Sequence, residues 1–251
     1  MKKTILITGA TSGIGKATAE ILAEKGHRII LCGRRKDRLN ELSNILGEKT
    51  SVHTLSFDAT IKEDVFAAIE SIPDDWKKID VLINNAGNAH GFDFIHEASI
   101  DDWESMININ LKGLLYVTKS VLPDMVKRKS GHIINIGSIA GIESYPKGGV
   151  YNASKYAVDG LTKSMRQDLI EHNIKVSEIK PGLVNTEFSN VRFKGDDQKA
   201  AKVYEGMDPL TASDIAEILE FIISRPAHVN LADTLVLPTA QATATMVRRK
   251  K

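Results

Sequence analysis

The chain has 251 residues, of which 42% are hydrophobic and 26% are charged. This composition suits a folded domain with a sizeable core and excludes disordered, collagen-like and coiled-coil chains. Thirty-three lysines and arginines stand against 32 aspartates and glutamates, a net charge of +1. No strong global field would recruit nucleic acid or an anionic membrane, so we expect neither as a partner and expect a small-molecule substrate instead.

Cysteine and histidine content limits the metal and redox chemistry. Cys32 is the single cysteine, which excludes an intrachain disulfide and suits a reducing compartment. The seven histidines show no pair at ligand-like spacing, so we expect no metal. The apolar run 4–8 reaches Gly9 too soon for a signal peptide, and no stretch approaches the ~18 apolar residues of a membrane span. We therefore expect a cytoplasmic protein.

Short β-branched segments alternate with longer amphipathic ones, which predicts strand–helix units and a parallel sheet. Strands are predicted at 4–8, 28–32, 52–57, 80–84, 132–136, 175–179 and 234–237. Helices are predicted at 14–25, 35–46, 61–72, 99–128, 151–172 and 211–223. Candidate N-caps are Ser99 and Ser213, and Pro123 should kink or end the fourth helix. We predict one α/β domain over 1–251, a doubly wound Rossmann-type parallel sheet with helices on both faces.

Two segments depart from this alternation. Residues 186–210, which include Gly195, Gly206 and Pro209, interrupt the strand–helix pattern, and we predict that they form a lid over the substrate. The terminal residues 247–251 are basic, and we expect a solvated, mobile tail without nucleic-acid or membrane attachment.

A glycine-rich turn follows the first predicted strand, in Thr8-Gly9-Ala10-Thr11-Ser12-Gly13-Ile14-Gly15. Its glycines let the backbone turn tightly and approach a ligand, while the helix N-terminus offers free N–H groups to a pyrophosphate. The spacing differs from the usual G-x-G-x-x-G, and such turns also occur without a ligand. The position at the first crossover favours dinucleotide binding, and the absent Gly-Lys-Ser/Thr ending argues against an ATPase.

Arg34 and Arg35 stand where a carboxylate would accept the ribose 2′-hydroxyl of NAD. Two guanidiniums suit a 2′-phosphate instead, and two charge-assisted hydrogen bonds of ~1.5–3 kcal/mol each would favour NADP about a hundredfold. The alternative is a solvated basic helix start, since Lys36 and Arg38 follow.

Two further polar groups lie at predicted strand ends, where an open α/β sheet binds its ligand. Asp58 follows the third strand and could accept a hydrogen bond from an adenine amine. Asn84-Asn85-Ala86-Gly87 closes the fourth and could support the adenosine and the neighbouring strand. Both are also ordinary turn residues.

Ser138, Tyr151 and Lys155 form the strongest candidate constellation. Ser138 ends the fifth predicted strand, and Tyr151 and Lys155 stack one turn apart on a helix. An ammonium at ~4 Å in an effective dielectric near ~20 contributes ~4 kcal/mol, about three pKa units, against the ordinary phenol pKa of ~10. Tyr151 could then exchange a proton near neutral pH while Ser138 hydrogen-bonds the reacting oxygen. Alone, a Tyr-x-x-x-Lys pair is also commonplace on helix surfaces.

Together these motifs resemble the short-chain dehydrogenase/reductase family over essentially the whole chain. The glycine turn, the Asn-Asn-Ala-Gly motif and the Ser, Tyr, Lys triad all match that family. The resemblance implies Asn110 as a fourth catalytic residue, which would hold a helix carbonyl and a water that relays protons through Lys155. Lys155 would also bind the nicotinamide ribose, and backbone near Val184 and the Thr186 hydroxyl would meet the carboxamide.

By this resemblance NADP is the cofactor. The residues expected to bind it are Gly9, Thr11, Ser12, Gly13, Ile14, Gly15, Arg34, Arg35, Asp58, Asn85, Ala86, Gly87, Tyr151, Lys155, Pro181, Gly182, Val184 and Thr186.

A narrower resemblance points to the branch of NADP-dependent 3-hydroxy acid dehydrogenases, which act on serine, allo-threonine and related small acids. The segments that carry it are 187–189, 191–193, 202–206, 224–226, 228–230 and 237–241. It implies hydride transfer between nicotinamide and the secondary alcohol or ketone carbon of a small 3-hydroxy acid. Members of the branch are typically homotetramers whose C-terminal segments pack against a neighbour, so we expect a homotetramer.

A hydroxy acid needs a cation for its carboxylate, and Arg192 and Lys147 are the candidates. Arg192 could form a bidentate clamp, whereas Lys147 would act as a point charge. Both also suit a solvated surface. Ser138, Tyr151 and Phe188 complete the expected substrate set, and Met207 could line the pocket or pack in the core.

Two other functions stay open. The same catalytic residues serve reductases of ketones, sugars or acyl thioesters, against which only the 186–210 segment argues. A regulator that binds NADP without chemistry would have no use for a phenol beside an ammonium.

Overall fold

A computed structural model describes residues 2–250. Seven parallel strands form one sheet in the order β3-β2-β1-β4-β5-β6-β7. The strands are β1 Thr4–Thr8, β2 Arg28–Gly33, β3 Val52–Ser56, β4 Val81–Asn84, β5 Gly131–Ile136, β6 Ile174–Pro181 and β7 Asp233–Val236. Chain order reverses between β1 and β4, which creates a crevice at the carboxyl ends of those strands. The predicted doubly wound sheet is confirmed.

Helices cover both faces of the sheet. They are α1 Gly13–Glu24, α2 Lys36–Gly47, α3 Lys62–Glu70, α4 Ile100–Ile107, α5 Leu114–Lys127, α6 Gly149–Asp168, α7 Phe188–Arg192, α8 Asp197–Lys202 and α9 Ala212–Ser224. One hydrophobic cluster joins the sheet to α1, α2 and α9, and a second joins it to α3, α5 and α6. Because both faces are covered, central strands such as β1 and β4 are mostly apolar, as the sequence predicted.

The predicted helix at 99–128 is divided differently from our expectation. A π-helical stretch, Asn108–Gly113, joins α4 to α5. Pro123 does not end α5, which continues to Lys127. The proline lies on the exposed face of the helix, where water can satisfy the carbonyl one turn earlier.

The N-cap predicted at Ser213 is wrong, because α9 begins after Thr211. The Thr211 hydroxyl accepts a hydrogen bond from the Asp214 backbone N–H at 3.2 Å, and the Asp214 carboxylate accepts one from the Thr211 N–H at 2.7 Å. This reciprocal pair satisfies two N–H groups that a helix start otherwise leaves free. Ser99, by contrast, is the N-cap residue of α4.

The segment 186–210 folds as the two short helices α7 and α8. The basic tail was expected to be mobile, but its described part packs against this segment. Arg249 donates to the Val203 carbonyl at 3.0 Å, and the Lys250 N–H donates to the Gly206 carbonyl at 2.6 Å. A guanidinium suits the carbonyls that a helix leaves unpaired at its C-terminus, which explains the attachment. Lys251 lies outside the described residues.

Among residues 2–250, no helix combines the length and the apolar character needed to cross a bilayer.

Candidate active site

A cleft of about 910 Å³ opens at the carboxyl ends of β1, β4, β5 and β6. It is bounded by the glycine turn, the start of α6 and the 186–210 segment. The predicted site residues that line it are Gly9, Thr11, Ser12, Gly13, Ile14, Arg34, Arg35, Asn85, Ala86, Gly87, Ser138, Tyr151, Lys155, Pro181, Gly182, Val184, Thr186, Phe188 and Arg192. The sheet therefore gathers residues from six separate sequence regions on one surface.

Four predicted site residues lie off this surface. A side chain on Gly15 would collide with the Gly9 carbonyl, so Gly15 packs beneath the turn. Asp58 and Asn110 stand behind the lining residues, and Lys147 borders a separate small pocket. Met207 is buried away from the cleft wall, as the packing alternative expected.

The glycine turn has the geometry of a phosphate cradle. Gly9 and Gly13 have φ of +65° and +52°, a region that glycine occupies without strain. A Cβ on Gly13 would lie 3.3 Å from the Thr186 side chain, so a larger residue would fill the space between the turn and the start of the lid. This space and the free N–H groups of α1 fit a dinucleotide pyrophosphate.

The Asn-Asn-Ala-Gly motif braces the glycine turn from behind. Asn85 donates through Nδ2 to the Thr8 carbonyl at 2.9 Å and to the Gly9 carbonyl at 3.2 Å. In return, the Thr8 hydroxyl accepts the Asn85 and Ala86 N–H groups at 3.0 and 2.9 Å. The motif therefore holds β1 and β4 together at the crevice, as its position in the sequence suggested.

Arg35 lies across the glycine turn. Its Nη2 donates to the hydroxyls of Thr11 and Ser12, each at 2.8 Å. Its Nη1 lies 3.2 Å from a carboxylate oxygen of Glu187, which also pairs with Arg38 at 2.9 Å. Guanidinium groups of two residues thus converge beside the phosphate cradle and are neutralised there by a carboxylate from the 186–210 segment.

Arg34 points to the opposite rim, where it lies 3.4 Å from Asp58. Partial burial would raise the pKa of Asp58, but hydrogen bonds from Thr60 and the charge of Arg34 hold it below its usual range. Asp58 is therefore an anion that accepts from Thr60 and orients Arg34, and its Oδ1 is used within its own turn.

Ser138, Tyr151 and Lys155 meet at the floor of the cleft. Ser138 follows β5 and caps a short 3₁₀ turn, accepting the Ala140 N–H at 3.1 Å. Tyr151 and Lys155 lie one turn apart on α6 and are both buried. The Lys155 ammonium donates to the Ile136 carbonyl at 2.8 Å, which ties α6 to the end of β5.

The electrostatics of Tyr151 differ from our expectation. The Lys155 Nζ lies 6.0 Å from the phenol ring centroid, and Lys155 is not a cause of the phenol's pKa shift. Burial raises the pKa of Tyr151, while the Arg192 charge and a hydrogen bond with Ser138 oppose that rise. The lowered phenol pKa that we expected from Lys155 is therefore not found in the unliganded protein, where the ammonium donates to the Ile136 carbonyl. The expected ~4 Å approach of the ammonium to the phenol oxygen stays a prediction.

The surroundings of Lys155 nevertheless shift the pKa of its own amine. Burial lowers its pKa to about 8, and the negative charge of Glu178 opposes the change. The amine is therefore still mostly protonated at pH 7, although it lies in a buried position.

Asn110 lies in the π-helical stretch between α4 and α5. Its Nδ2 donates to the Asn88 carbonyl at 2.9 Å and to the Ser154 hydroxyl at 3.0 Å, and its Oδ1 accepts the Asn88 N–H at 2.8 Å. A Cβ on Gly87 would lie 2.9 Å from Asn110 Oδ1 and 3.8 Å from Lys155 Nζ. The backbone at Gly87 therefore leaves room for Asn110 and Lys155 to approach the same point.

Arg192 enters the cleft inside a cage of aromatic rings. Its Nη2 donates to the Tyr145 hydroxyl at 2.7 Å, and its guanidinium carbon lies 4.8 Å from the Tyr151 ring centroid and 5.5 Å from that of Phe188. These contacts fix the guanidinium next to the phenol. Arg192 is thus a cation at the reacting end of the cleft, in addition to Lys155 at its floor.

Lys147 is directed elsewhere. Its Nζ lies 4.6 Å from the Phe94 ring centroid, outside the main cleft. The backbone of Lys147 has a φ of +65°. The small pocket that it borders also touches Tyr151 and Arg192, so Lys147 stands behind the reacting end of the cleft.

Sequence reasoning missed Glu187 and Tyr145, which pair with Arg35 and Arg192 respectively. Glu187 directly follows Thr186, and this carboxylate next to an expected cofactor residue was the only sequence signal that could have identified it. Tyr145 lies in a loop between the 3₁₀ turn and α6, and nothing in its sequence surroundings distinguishes it.

Comparison with known proteins agrees with this geometry. The family model described as short chain dehydrogenase matches residues 3–197. The chain therefore belongs to the short-chain dehydrogenase family, and the family resemblance stated above is confirmed.

Individual relatives are also similar along nearly the full length. The chain is 46% identical over 241 residues to the NADP-dependent 3-hydroxy acid dehydrogenase YdfG of Salmonella typhi, covering 96% of each chain. It is 46% identical over 252 residues to the NADP-dependent 3-hydroxy acid dehydrogenase of Schizosaccharomyces pombe, covering 99% of this chain and 97% of that one. The solved closed form of serine dehydrogenase complexed with NADP+ superposes with a TM-score of 0.92 at 43% identity, covering 99% and 100% of the two chains.

Proposed function

We propose that this protein is an NADP-dependent dehydrogenase that oxidises small 3-hydroxy acids reversibly at the 3-hydroxyl. The observation that carries the proposal is that one cleft joins the Ser138, Tyr151 and Lys155 group to a phosphate cradle flanked by arginines at one end and to Arg192 at the other. The names of the relatives, which are NADP-dependent 3-hydroxy acid dehydrogenases and a serine dehydrogenase, support the same substrate class.

The cofactor residues fit NADP. Bound NADP supplies the nicotinamide that takes or gives the hydride. The glycine turn and the N-terminus of α1 hold the pyrophosphate, and Arg34 and Arg35 meet the 2′-phosphate. Pro181, Gly182, Val184 and Thr186 line the nicotinamide end of the cleft. Arg35 changes partner when it binds the phosphate, because Glu187 holds the guanidinium in the present structure.

Proton transfer depends on the residues at the floor of the cleft, Ser138, Tyr151 and Lys155. During oxidation the substrate hydroxyl gives its proton to the phenolate form of Tyr151, and during reduction the phenol form of Tyr151 gives a proton to the oxygen. Ser138 hydrogen-bonds and orients the reacting oxygen. Because burial raises the pKa of the unliganded phenol, Tyr151 is already protonated for the reduction. Lys155 binds the nicotinamide ribose, and with Asn110 it sustains proton exchange behind the phenol.

Arg192 is proposed to bind the substrate carboxylate, with Phe188 covering the same pocket. Loss of a charge-assisted clamp of ~1.5–3 kcal/mol predicts that Arg192→Ala raises the KM for serine about tenfold or more. Lys147→Ala should raise it less, because Lys147 faces Phe94. Steady-state kinetics of both variants check this expectation.

Lys194→Ala is the matched control, because Lys194 belongs to the same segment but pairs with Asp102 at 2.9 Å. A KM for serine that is unchanged in Arg192→Ala, or raised equally in Lys194→Ala, would remove the carboxylate role from Arg192.

The organisation that we propose is one catalytic domain over 1–251, with the 186–210 segment closing over the substrate. We also propose a homotetramer in the cytoplasm, as for the branch that the sequence resembles. Size-exclusion chromatography with light scattering of the purified protein tests the assembly.

A substrate panel tests the proposed function. Serine, allo-threonine, a bulky ketone, a sugar and a 3-oxoacyl thioester are each assayed with NADP(H) and NAD(H) by nicotinamide absorbance. Turnover of the 3-hydroxy acids with NADP supports the proposal. Activity on the ketone, sugar or thioester alone would favour a different reductase, and cofactor binding without any turnover would favour a regulator.

A further inference from the structure

Glu178 is fully buried in β6, beneath the turn that carries Ser138. A side chain on Gly137 would collide with Glu178 Oε1, so the carboxylate lies directly against the backbone of residue 137. Gly137 separates Ser138 from Ile136, whose carbonyl accepts the Lys155 ammonium. The carboxylate thus lies under residues 136–138, at the end of β5. This stretch includes Ser138 and the Ile136 carbonyl that accepts the Lys155 ammonium.

The Glu178 carboxylate is poorly paired for a buried charge. Lys180 Nζ lies 3.4 Å from its Oε2, but it lies nearer to Asp159 at 2.8 Å and to Asp233 at 2.5 Å. Within residues 2–250, neither Glu178 oxygen has a well-formed hydrogen bond. The three carboxylates come close enough together to hold a metal ion, but the Lys180 ammonium already lies among them.

The surrounding charges leave Glu178 the least compensated member of this cluster. Asp159, on α6, also pairs with Lys163 at 2.6 Å, and Asp233, on β7, pairs with Arg166 at 3.2 Å. Both aspartates therefore have further cations of their own. Within residues 2–250, the cations that interact with Glu178 are Lys180, which it shares, and Lys155 on the α6 side.

The negative charge of Glu178 acts on Lys155. Burial raises the pKa of Glu178 to about 7, and burial lowers the pKa of Lys155 to about 8 while the Glu178 charge acts in the opposite direction. Glu178 is therefore ionised in the range above neutral pH where Lys155 would otherwise lose its proton.

We infer that Glu178 is a positioning residue of the reaction, whose buried negative charge keeps the Lys155 ammonium protonated and bound to the Ile136 carbonyl. This inference rests on the proposed function, in which Lys155 acts as a cation. Glu178 touches neither substrate nor cofactor, because the β5 backbone separates it from the cleft.

The first test measures Lys155 directly in the unliganded protein and needs no turnover. The ¹³C shift of the Lys155 ε-carbon is followed against pH in the wild type and in Glu178→Gln. We expect the Lys155 titration in Glu178→Gln to move down by about one pH unit, because removal of a nearby negative charge favours the neutral amine. Glu178→Asp, which keeps the charge, should titrate close to the wild type.

The second test measures turnover. In Glu178→Gln the alkaline limb of kcat for allo-threonine oxidation should shift to lower pH in step with the Lys155 titration, while the KM changes little. A wild type that turns over no 3-hydroxy acid contradicts the proposed function. An active wild type with an unshifted Lys155 titration in Glu178→Gln contradicts only the present inference.

Asp233→Asn is the matched control, because it removes the Lys180 partner at 2.5 Å without removing the carboxylate under Gly137. It should leave the Lys155 titration where it is in the wild type. An equal shift in Asp233→Asn would show that the charge of the whole cluster, rather than that of Glu178, sets the Lys155 titration, and would overturn the role of Glu178.

Stability provides the folding check. A buried acid whose pKa is raised binds its proton more tightly when folded, so its ionisation lowers stability as pH rises from about 4.5 to about 7. Glu178→Gln should therefore unfold at a higher temperature than the wild type at pH 8 and at a similar temperature near pH 4.

If the variant does not fold, the ¹³C titration of the Glu178 carboxyl in the wild type tests the inference instead. A carboxyl that is still protonated at pH 8 would overturn the inference.

Discussion

Replacing Tyr151 with phenylalanine is expected to lower kcat for 3-hydroxy acid oxidation about 10³-fold or more. The phenol hydroxyl is the group that exchanges a proton with the substrate oxygen, and phenylalanine cannot do so. The ring itself should stay in place, because it packs against Phe188 at a centroid distance of 5.6 Å and beneath the Arg192 guanidinium. Steady-state kinetics measure the loss, and fluorescence titration measures NADPH affinity.

The affinity for NADPH should stay close to that of the wild type in Tyr151→Phe. An unchanged affinity would show that the variant has lost proton transfer but has kept the cofactor site. Tyr156→Phe is the matched control, because Tyr156 lies on the same helix but is exposed to solvent. Retained turnover in Tyr151→Phe would contradict the assignment of the phenol as proton donor and acceptor.

Replacing both Arg34 and Arg35 with alanine is expected to lower kcat/KM for NADP about a hundredfold and to change that for NAD little. Each guanidinium supplies a charge-assisted hydrogen bond of ~1.5–3 kcal/mol to the 2′-phosphate, which NAD lacks. The loss should be larger for Arg35→Ala than for Arg34→Ala, because Arg35 is held over the glycine turn by Thr11 and Ser12. Kinetics with both nucleotides measure the ratio.

Lys36→Ala removes a neighbouring exposed cation and serves as the control for general electrostatic attraction. The NADP to NAD ratio should be unchanged in that variant. If the double arginine variant keeps the wild-type ratio, or if the wild type uses NAD and NADP equally well, the 2′-phosphate role of these arginines is wrong.

Much of the fold was predictable because the hydrophobic pattern and the local geometry agree. Buried parallel strands such as β1 have an apolar centre and end at turn residues, which locates them in the sequence. The crevice follows from topology, since the carboxyl ends of neighbouring parallel strands meet at one edge. The predicted positions of Ser138, Tyr151 and the glycine turn on one cleft follow for that reason.

Long-range charge pairs were not predictable. Glu187 pairs with Arg35 and Arg38, which lie 152 and 149 residues earlier in the sequence. Which cation shifts the pKa of Tyr151 depends on side-chain direction. Arg192 acts on the phenol, whereas the Lys155 ammonium donates to the Ile136 carbonyl. Helical spacing places residues on one face but does not decide where a flexible ammonium points.

The π-helical stretch is a second feature that the pattern could not show. The apolar period continues through 99–128, so the sequence indicated one regular helix. The added residue in that turn changes the direction of Asn110, which then contacts Asn88 and Ser154. The resemblance to the family identified Asn110, and periodicity did not.

The most direct measurement of the central claim follows the hydrogen itself. The protein is incubated with NADP⁺ and L-allo-threonine that carries deuterium at C3, and the reduced nucleotide is analysed by mass spectrometry and NMR. We expect deuterium to appear at C4 of the nicotinamide, and we expect Tyr151→Phe to prevent its appearance. Reduced nucleotide without deuterium, or no reduction with any 3-hydroxy acid, would contradict it.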